Sequence, residues 1–162
     1  MPIQLLRIDE RLLHGQVIVG WGMRLKLQRY IVVDDALTAA SWEQDLYAAA
    51  VPREAEAVFL SVADAVKRFA ELDAHPARGA LLTRGTGAMR VLAEAGLLAG
   101  RRINVGGLHS APGRSRVLDY VYLDESSQED LRALAEHGGL VSARDLPSGR
   151  EVELDDLLDA SS

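Results

Sequence analysis

The sequence predicts an α/β fold: a single domain built on an open, mostly parallel twisted sheet with helices on both faces. Three observations carry that expectation. Short aliphatic and β-branched runs alternate with amphipathic stretches as far as about residue 105. These runs are apolar throughout, as strands buried on both faces require. The chain of 162 residues can bury a substantial core as one domain, and no linker, repeat or low-complexity tract divides it, so the expected domain is 1–162.

In chain order, residues 3–8 read as the first strand, and residues 15–26 as a helix with Val17, Ile18, Trp21 and Leu25 close to one face. Residues 30–33 form a β-branched second strand. Asp34-Asp35 then opens a helical run to about Ala50, which Pro52 stops. Residues 57–60 are the third strand, and Ser61 caps a helix over 62–72 with Asp64 in its first turn. Residues 80–83 give a fourth strand, 89–98 a helix ending near Gly100, and 102–105 a fifth strand closed by Gly106-Gly107. Strand-helix alternation of this kind implies right-handed crossovers. The last third is less regular. Residues 117–123 read as a strand of open direction, and Ser126 or Ser127 caps a helix that reaches His137 and ends at Gly138-Gly139. Residues 140–143 return as a strand, 153–158 form a terminal helix, and Ser161-Ser162 is expected to fray.

Composition narrows the function classes. A formal charge of −6 argues against a general nucleic-acid binder, which needs a basic face. Arg7, Arg11, Arg84, Arg90, Arg114 and Arg116 all fall at or near strand ends or loops, so a local positive patch and scattered solvated arginines are both open readings. No apolar run approaches the roughly 18 residues of a membrane span, and the N-terminal residues lack the pattern of a signal peptide. The absence of cysteine excludes disulfides and thiolate metal sites and fits a reducing cytosol.

The chemistry concentrates in Arg7-Ile-Asp-Glu-Arg-Leu-Leu-His14-Gly-Gln-Val, where the first strand turns into the first helix. An imidazole is placed in company with two guanidiniums at a helix start, where unpaired amides and the dipole favour an anion. Arg7, Arg11, Gly15 and Gln16 could then surround a phosphoryl group on His14. Asp9 could orient the imidazole, hold Arg11, or simply close a turn. Because ligands in open α/β sheets gather beyond the carboxyl ends of the strands, the fourth and fifth strands should end nearby. Gly106 and Gly107 would there allow close backbone approach, and His109 could either contact the group or bond to backbone.

This motif, with Trp21 four residues after Val17, resembles the phosphorylatable-histidine motif of the IIB subunits of the mannose/fructose/sorbose family of the bacterial phosphotransferase system. Ile103-Asn-Val-Gly-Gly-Leu-His109 is a second match, and Val121-Tyr-Leu-Asp124 followed by a helix and Arg144-Asp-Leu-Pro147 a looser third, so the resemblance spans nearly the whole chain. Two positions depart from it: Glu10 stands where many members have Asp, and Ser110 follows His109 where an aromatic is common.

The resemblance implies a protein-phosphohistidine–sugar phosphotransferase, in which His14 accepts a phosphoryl group from a IIA phosphohistidine and passes it to a sugar entering through a membrane IIC/IID permease. It implies a cytoplasmic chain held at the inner face of the membrane through that permease, with no cofactor and no metal, and it suggests Nδ1 as the phosphorylated nitrogen. Oligomeric state stays open, a homo-oligomer included. A phosphorylation-state sensor with the same fold and no sugar turnover would carry the same motif. A nucleotide-binding module would need a fuller glycine fingerprint than Arg84-Gly-Thr-Gly87. Asp34-Asp35 reads more simply as a turn and helix cap than as a ribose or metal site. The sequence also lacks G-x-S-x-G and H-E-x-x-H, which leaves nucleophile-elbow and zinc chemistry unsupported.

Overall fold

The computed structural model describes residues 2–161. Seven strands form one sheet in the order β3-β2-β4-β1-β5-β8-β9. They are β1 (Ile3–Ile8), β2 (Arg29–Val33), β3 (Glu56–Leu60), β4 (Gly79–Thr83), β5 (Arg102–Val105), β8 (Leu140–Ala143) and β9 (Val152–Glu153). All neighbours run parallel except β9, which closes the edge antiparallel to β8.

Alternation along each strand divides the interior in two. Ile31, Val33, Leu81, Leu6 and Ile8 face one core, completed by α4 (Val62–Ala74), α5 (Thr86–Glu94), α6 (Glu125–Glu136) and α7 (Leu154–Ser161). Tyr30, Val32, Ala80, Leu82 and Leu5 face the other. That second core is closed by Val17, Ile18 and Trp21, and by Leu37 of α2 (Asp35–Thr38), with Tyr47 of α3 (Ser41–Ala48) packed against it. Helices therefore cover both faces, as expected from strands that are buried on both sides.

Several elements differ from the sequence reading. The first helix is no regular α-helix: a π-helical segment, Gln16–Trp21, leads into a single turn, α1 (Gly22–Leu25), which Lys26 ends in the left-handed region at φ 56°. The run to Ala50 breaks into α2 and α3, because the backbone leaves the helix at Ala39-Ala40. Helix α5 starts three residues earlier than expected and stops at Glu94, since Gly96 and Gly100 take positive φ and turn the chain. Residues 117–123 are not one strand but a hairpin, β6 (Ser115–Leu118) with β7 (Val121–Leu123), outside the main sheet. Helix α6 is capped by Asp124, whose side chain accepts from the Ser127 amide while Ser127 Oγ accepts from the Asp124 amide; Ser127 is thus the third helical residue of a capping box rather than the cap. Ser161 ends α7, and Ser162 lies outside the described residues.

Topology places the motif. Ile8, the last residue of β1, pairs with Thr83 of β4 on one side and Val105 of β5 on the other. The loop after β1 therefore emerges between the ends of two neighbouring strands, where the chain's direction of strand addition reverses.

Candidate functional site around His14

The turn after β1 is pinned at both sides: the Asp9 amide donates to the Thr83 carbonyl at 2.9 Å and the Glu10 amide to the Gly107 carbonyl at 2.8 Å. Asp9 then folds the chain over its own side chain, accepting the Arg11 amide at Oδ1 (3.0 Å) and the Leu12 amide at its carbonyl (3.0 Å). Leu12 sits in the left-handed region at φ 55°, unusual for a branched side chain. It is fully buried in the second core, and that burial holds the strained backbone in place.

At the centre is the Asp9 carboxylate, itself fully buried. Its Oδ2 lies 3.1 Å from His14 Nε2 and accepts from Arg7 Nη2 (3.1 Å) and Nε (3.3 Å); Oδ1 also accepts from Arg11 Nε at 3.3 Å. The three roles considered for Asp9, turn closure, Arg11 anchor and imidazole partner, coexist. Burial alone would push its pKa up. The hydrogen bond with His14, the Arg7 and His14 charges and the Arg11 amide together outweigh that and hold it far below the usual carboxylate range. An ionised carboxylate can only accept, so the proton between the two groups belongs to His14 Nε2. In the neutral ring, Nδ1 then carries the lone pair.

Arg7 is a buried support for Asp9 and not a surface cation. Its side chain is fully buried and donates to Asp9, to Asn104 Oδ1, to the Arg144 carbonyl (2.9 Å) and to the Asp145 carbonyl (3.1 Å), with the Trp21 ring 5.4 Å away. Burial pulls its pKa down and Asp9 opposes that shift. Gly106 is required here: a Cβ would lie 2.5 Å from Arg7 Cζ. Gly107 packs similarly beside Arg11 and Asp9. Both glycines thus back the arginines.

Arg11 is the partly exposed cation of the group, its side chain 35% accessible. Besides Asp9 it donates to Gln16 Oε1 at 2.7 Å, and Gln16 Nε2 donates to Asp145 Oδ2 at 3.3 Å. Trp21 Nε1 reaches the carbonyl of the same Asp145 at 3.0 Å. In an α-helix, residues five apart point about 140° away from each other. The π-helical i→i+5 closure instead stacks Gln16 and Trp21, which lets both grip one loop residue.

Gly15 opens the helical segment with helical dihedrals, and nothing lies within 4 Å of where its Cβ would be. His109 stands apart. It is more than half exposed and tied to Glu10, which accepts from its backbone amide (3.1 Å) and lies 3.3 Å from its Nδ1. Arg114 pairs with the same Glu10, Arg84 with Asp34 at 2.9 Å, and Arg116 with Asp119, so these three arginines are each partnered within the chain. Asn104 and Asp145, together with the Arg144 carbonyl, complete the site without having been singled out as its members. Asn104 had a legible signal, a polar side chain in a strand between Ile103 and Val105. Asp145 had none beyond its motif. Among the described residues no group of three or more His, Cys, Asp or Glu side chains is arranged to hold a metal ion.

Residues 3–162 match the family described as the PTS system sorbose subfamily IIB component. The chain belongs to that family. This IIB chain is 28% identical over 155 residues to an N-acetylgalactosamine-specific phosphotransferase enzyme IIB component of Escherichia coli, covering 95% of the chain and 97% of the relative. It is also 28% identical over 158 residues to the mannose-specific EIIAB component of the same organism, where it covers 98% of itself but only 49% of that longer protein. The crystal structure of the IIBSor domain of the Klebsiella pneumoniae sorbose permease superposes with a TM-score of 0.89 at 25% identity, over 100% of this chain and 99% of that one. Membership implies phosphotransfer in sugar uptake. Among the described residues no helix is long and apolar enough to cross a membrane.

Proposed function

We propose that this chain is one IIB domain that carries a phosphoryl group on Nδ1 of His14, taken from a phosphohistidine of a IIA partner and delivered to a sugar held by membrane IIC/IID permease subunits at the inner face of the membrane. The observation that carries the reading is the ionised, buried Asp9 at His14 Nε2. With Nε2–H held there, the Nδ1 lone pair attacks phosphorus, a P–N bond forms, and the donor's P–N bond breaks with its electron pair returning to the donor imidazole. The phosphorylated ring is cationic in character, and Asp9 stabilises it. In the second step a sugar hydroxyl attacks phosphorus, an O–P bond forms, the P–Nδ1 bond breaks with its electrons returning to His14, and the hydroxyl proton passes through solvent to the freed Nδ1. Arg11, and behind it Gln16 and the first amides after Gly15, can neutralise charge on the transferring oxygens without a metal. Gly106, Gly107 and Arg7 serve by holding Arg11 and Asp9, and His109 lines the rim.

The test is labelling by a cognate phospho-IIA protein followed by mass spectrometry. His14→Ala and His14→Gln should abolish acid-labile phosphorylation and keep the fold. A mutant labelled as fully as the wild type would overturn the assignment.

A further inference from the structure

Helix α3 contributes no buried residue to its own fold, whereas every other described helix of at least eight residues contributes one or more. An eight-residue helix is too short to be stable by itself. It reaches the core only through the partly buried Tyr47 and is braced by Gln44 Nε2 on the Leu37 carbonyl. Its outer face is apolar. Trp42 and Leu46, one helical turn apart, are each 65% exposed, and Ala39, Ala49 and Ala50 extend the exposed small-residue surface on either side.

Charge selects the occupant. From Asp34 to Val51 the chain carries four carboxylates, Asp34, Asp35, Glu43 and Asp45, and no Lys or Arg. Asp34 is paired with Arg84, and Asp35 accepts the Val62 amide, while Glu43 and Asp45 sit on α3 beside the apolar face. A symmetric contact between two copies would set acid against acid, which is unfavourable. A partner with an apolar centre and a Lys/Arg rim fits. Cytoplasmic loops of membrane proteins have that bias, and tryptophan is a favoured anchor of interfaces. Helices α2 and α3 also leave the same sheet edge as the His14 turn and cover the face that carries the helical segment following it.

We infer that the outer face of α3 docks on the Lys/Arg-rich cytoplasmic surface of the membrane-embedded permease subunits, an inference that rests on the transport reading. The experiment floats the full chain with proteoliposomes containing the cognate permease subunits, and with protein-free vesicles of the same lipids. Wild type should co-float only with the former. Trp42→Asp/Leu46→Asp should weaken capture by at least about tenfold, and Glu43→Lys/Asp45→Lys should weaken it and remove its salt dependence. Unchanged melting temperatures show that these exposed substitutions keep the fold. Capture unaffected by the substitutions overturns the inference. Equal capture by protein-free vesicles overturns it in favour of a lipid surface, and a wild-type dimer dissolved by Trp42→Asp/Leu46→Asp overturns it in favour of a second copy. Labelling of His14 by phospho-IIA, measured on the same samples, separates the two readings: labelling lost in wild type with capture intact removes the phosphocarrier assignment alone.

Discussion

Replacing Asp9 with Asn keeps the shape of the side chain and removes its charge, so it isolates the electrostatic role. Arg7 is fully buried and points both Nε and Nη2 at this carboxylate. Breaking a buried ion pair by neutralising one partner costs about 3–5 kcal/mol. In a chain of this size each kcal/mol moves the midpoint by about 2–4 °C, so Tm should fall by about 6–20 °C. A domain in the middle of the usual range, stable by about 10 kcal/mol, keeps about 5 kcal/mol or more and remains folded at assay temperature. The kinetic effect has a separate cause: a neutral amide oxygen at the Oδ2 position, where Arg7 also donates, holds the Nε2 proton less firmly than the carboxylate does, and an amide N–H in that position favours the opposite tautomer and directs the lone pair inward. The analogous Asp→Asn change in Ser-His-Asp enzymes costs about 10⁴ in rate, and a loss of about 10³–10⁴ is expected here in single-turnover phosphorylation by phospho-IIA. Imidazole ¹⁵N shifts should report the tautomer. The pH dependence follows in sign: because the folded-state pKa of Asp9 is depressed, the unfolded chain takes up its proton first. The stabilisation is complete above the unfolded value of about 3.9 and fades as pH falls toward the folded one. The stability difference between wild type and Asp9→Asn should therefore shrink below about pH 4. A variant that transfers within about threefold of wild type and keeps the Nε2–H tautomer would refute this account of Asp9.

Substitutions at three other positions separate roles that lie side by side in the site. Arg11→Ala should slow single-turnover transfer by about 10²–10³, and Arg11→Lys should recover only part, since an ammonium cannot span Asp9 and Gln16 as a guanidinium does; a rate near wild type removes Arg11 from the chemistry. Gly106→Ala forces a methyl against the Arg7 guanidinium and should destabilise by about 1–3 kcal/mol, read as a lower Tm; an unchanged Tm means Arg7 has room to move. Gly15→Ala meets no atom and has helical dihedrals, so it should stabilise by about 0.5–1 kcal/mol. If the missing Cβ serves the approach of a partner, labelling slows while Tm rises, and an unchanged rate assigns Gly15 no such role.

The strands were legible because their side chains decide them locally: Val32 and Val33, or Leu81 and Leu82, are buried on both sheet faces and leave no alternation to misread. The first helix was misread for the opposite reason. Val17, Ile18 and Trp21 satisfy an α-helical stripe and a π-helical one about equally well, and only contacts with Asp145, more than a hundred residues away, favour the wider turn. The hairpin β6-β7 has the same character, since Asp119-Tyr120 carries no glycine to mark the turn. His14, Arg11 and Asp9 could be proposed from spacing within one loop. The burial of Arg7 could not, because a strand residue beside Ile8 shows its environment only once β5 and the loop after β8 are in place.

That burial resolves a conflict in the site. A carboxylate that orients the imidazole also stands near an incoming phosphoryl group, and its charge opposes the group's arrival. Arg7 cancels the Asp9 charge from behind, at 3.1 Å and away from solvent, where screening is weakest. Asp9 can then fix the Nε2 proton with little net repulsion toward phosphate. Arg11, partly accessible and bonded to the other oxygen of Asp9, is left as the cation that can turn to the transferring group. Two arginines precede one histidine in the same short stretch of sequence, and the fold gives them different work: the buried one makes the carboxylate tolerable, and the accessible one makes the phosphoryl group welcome.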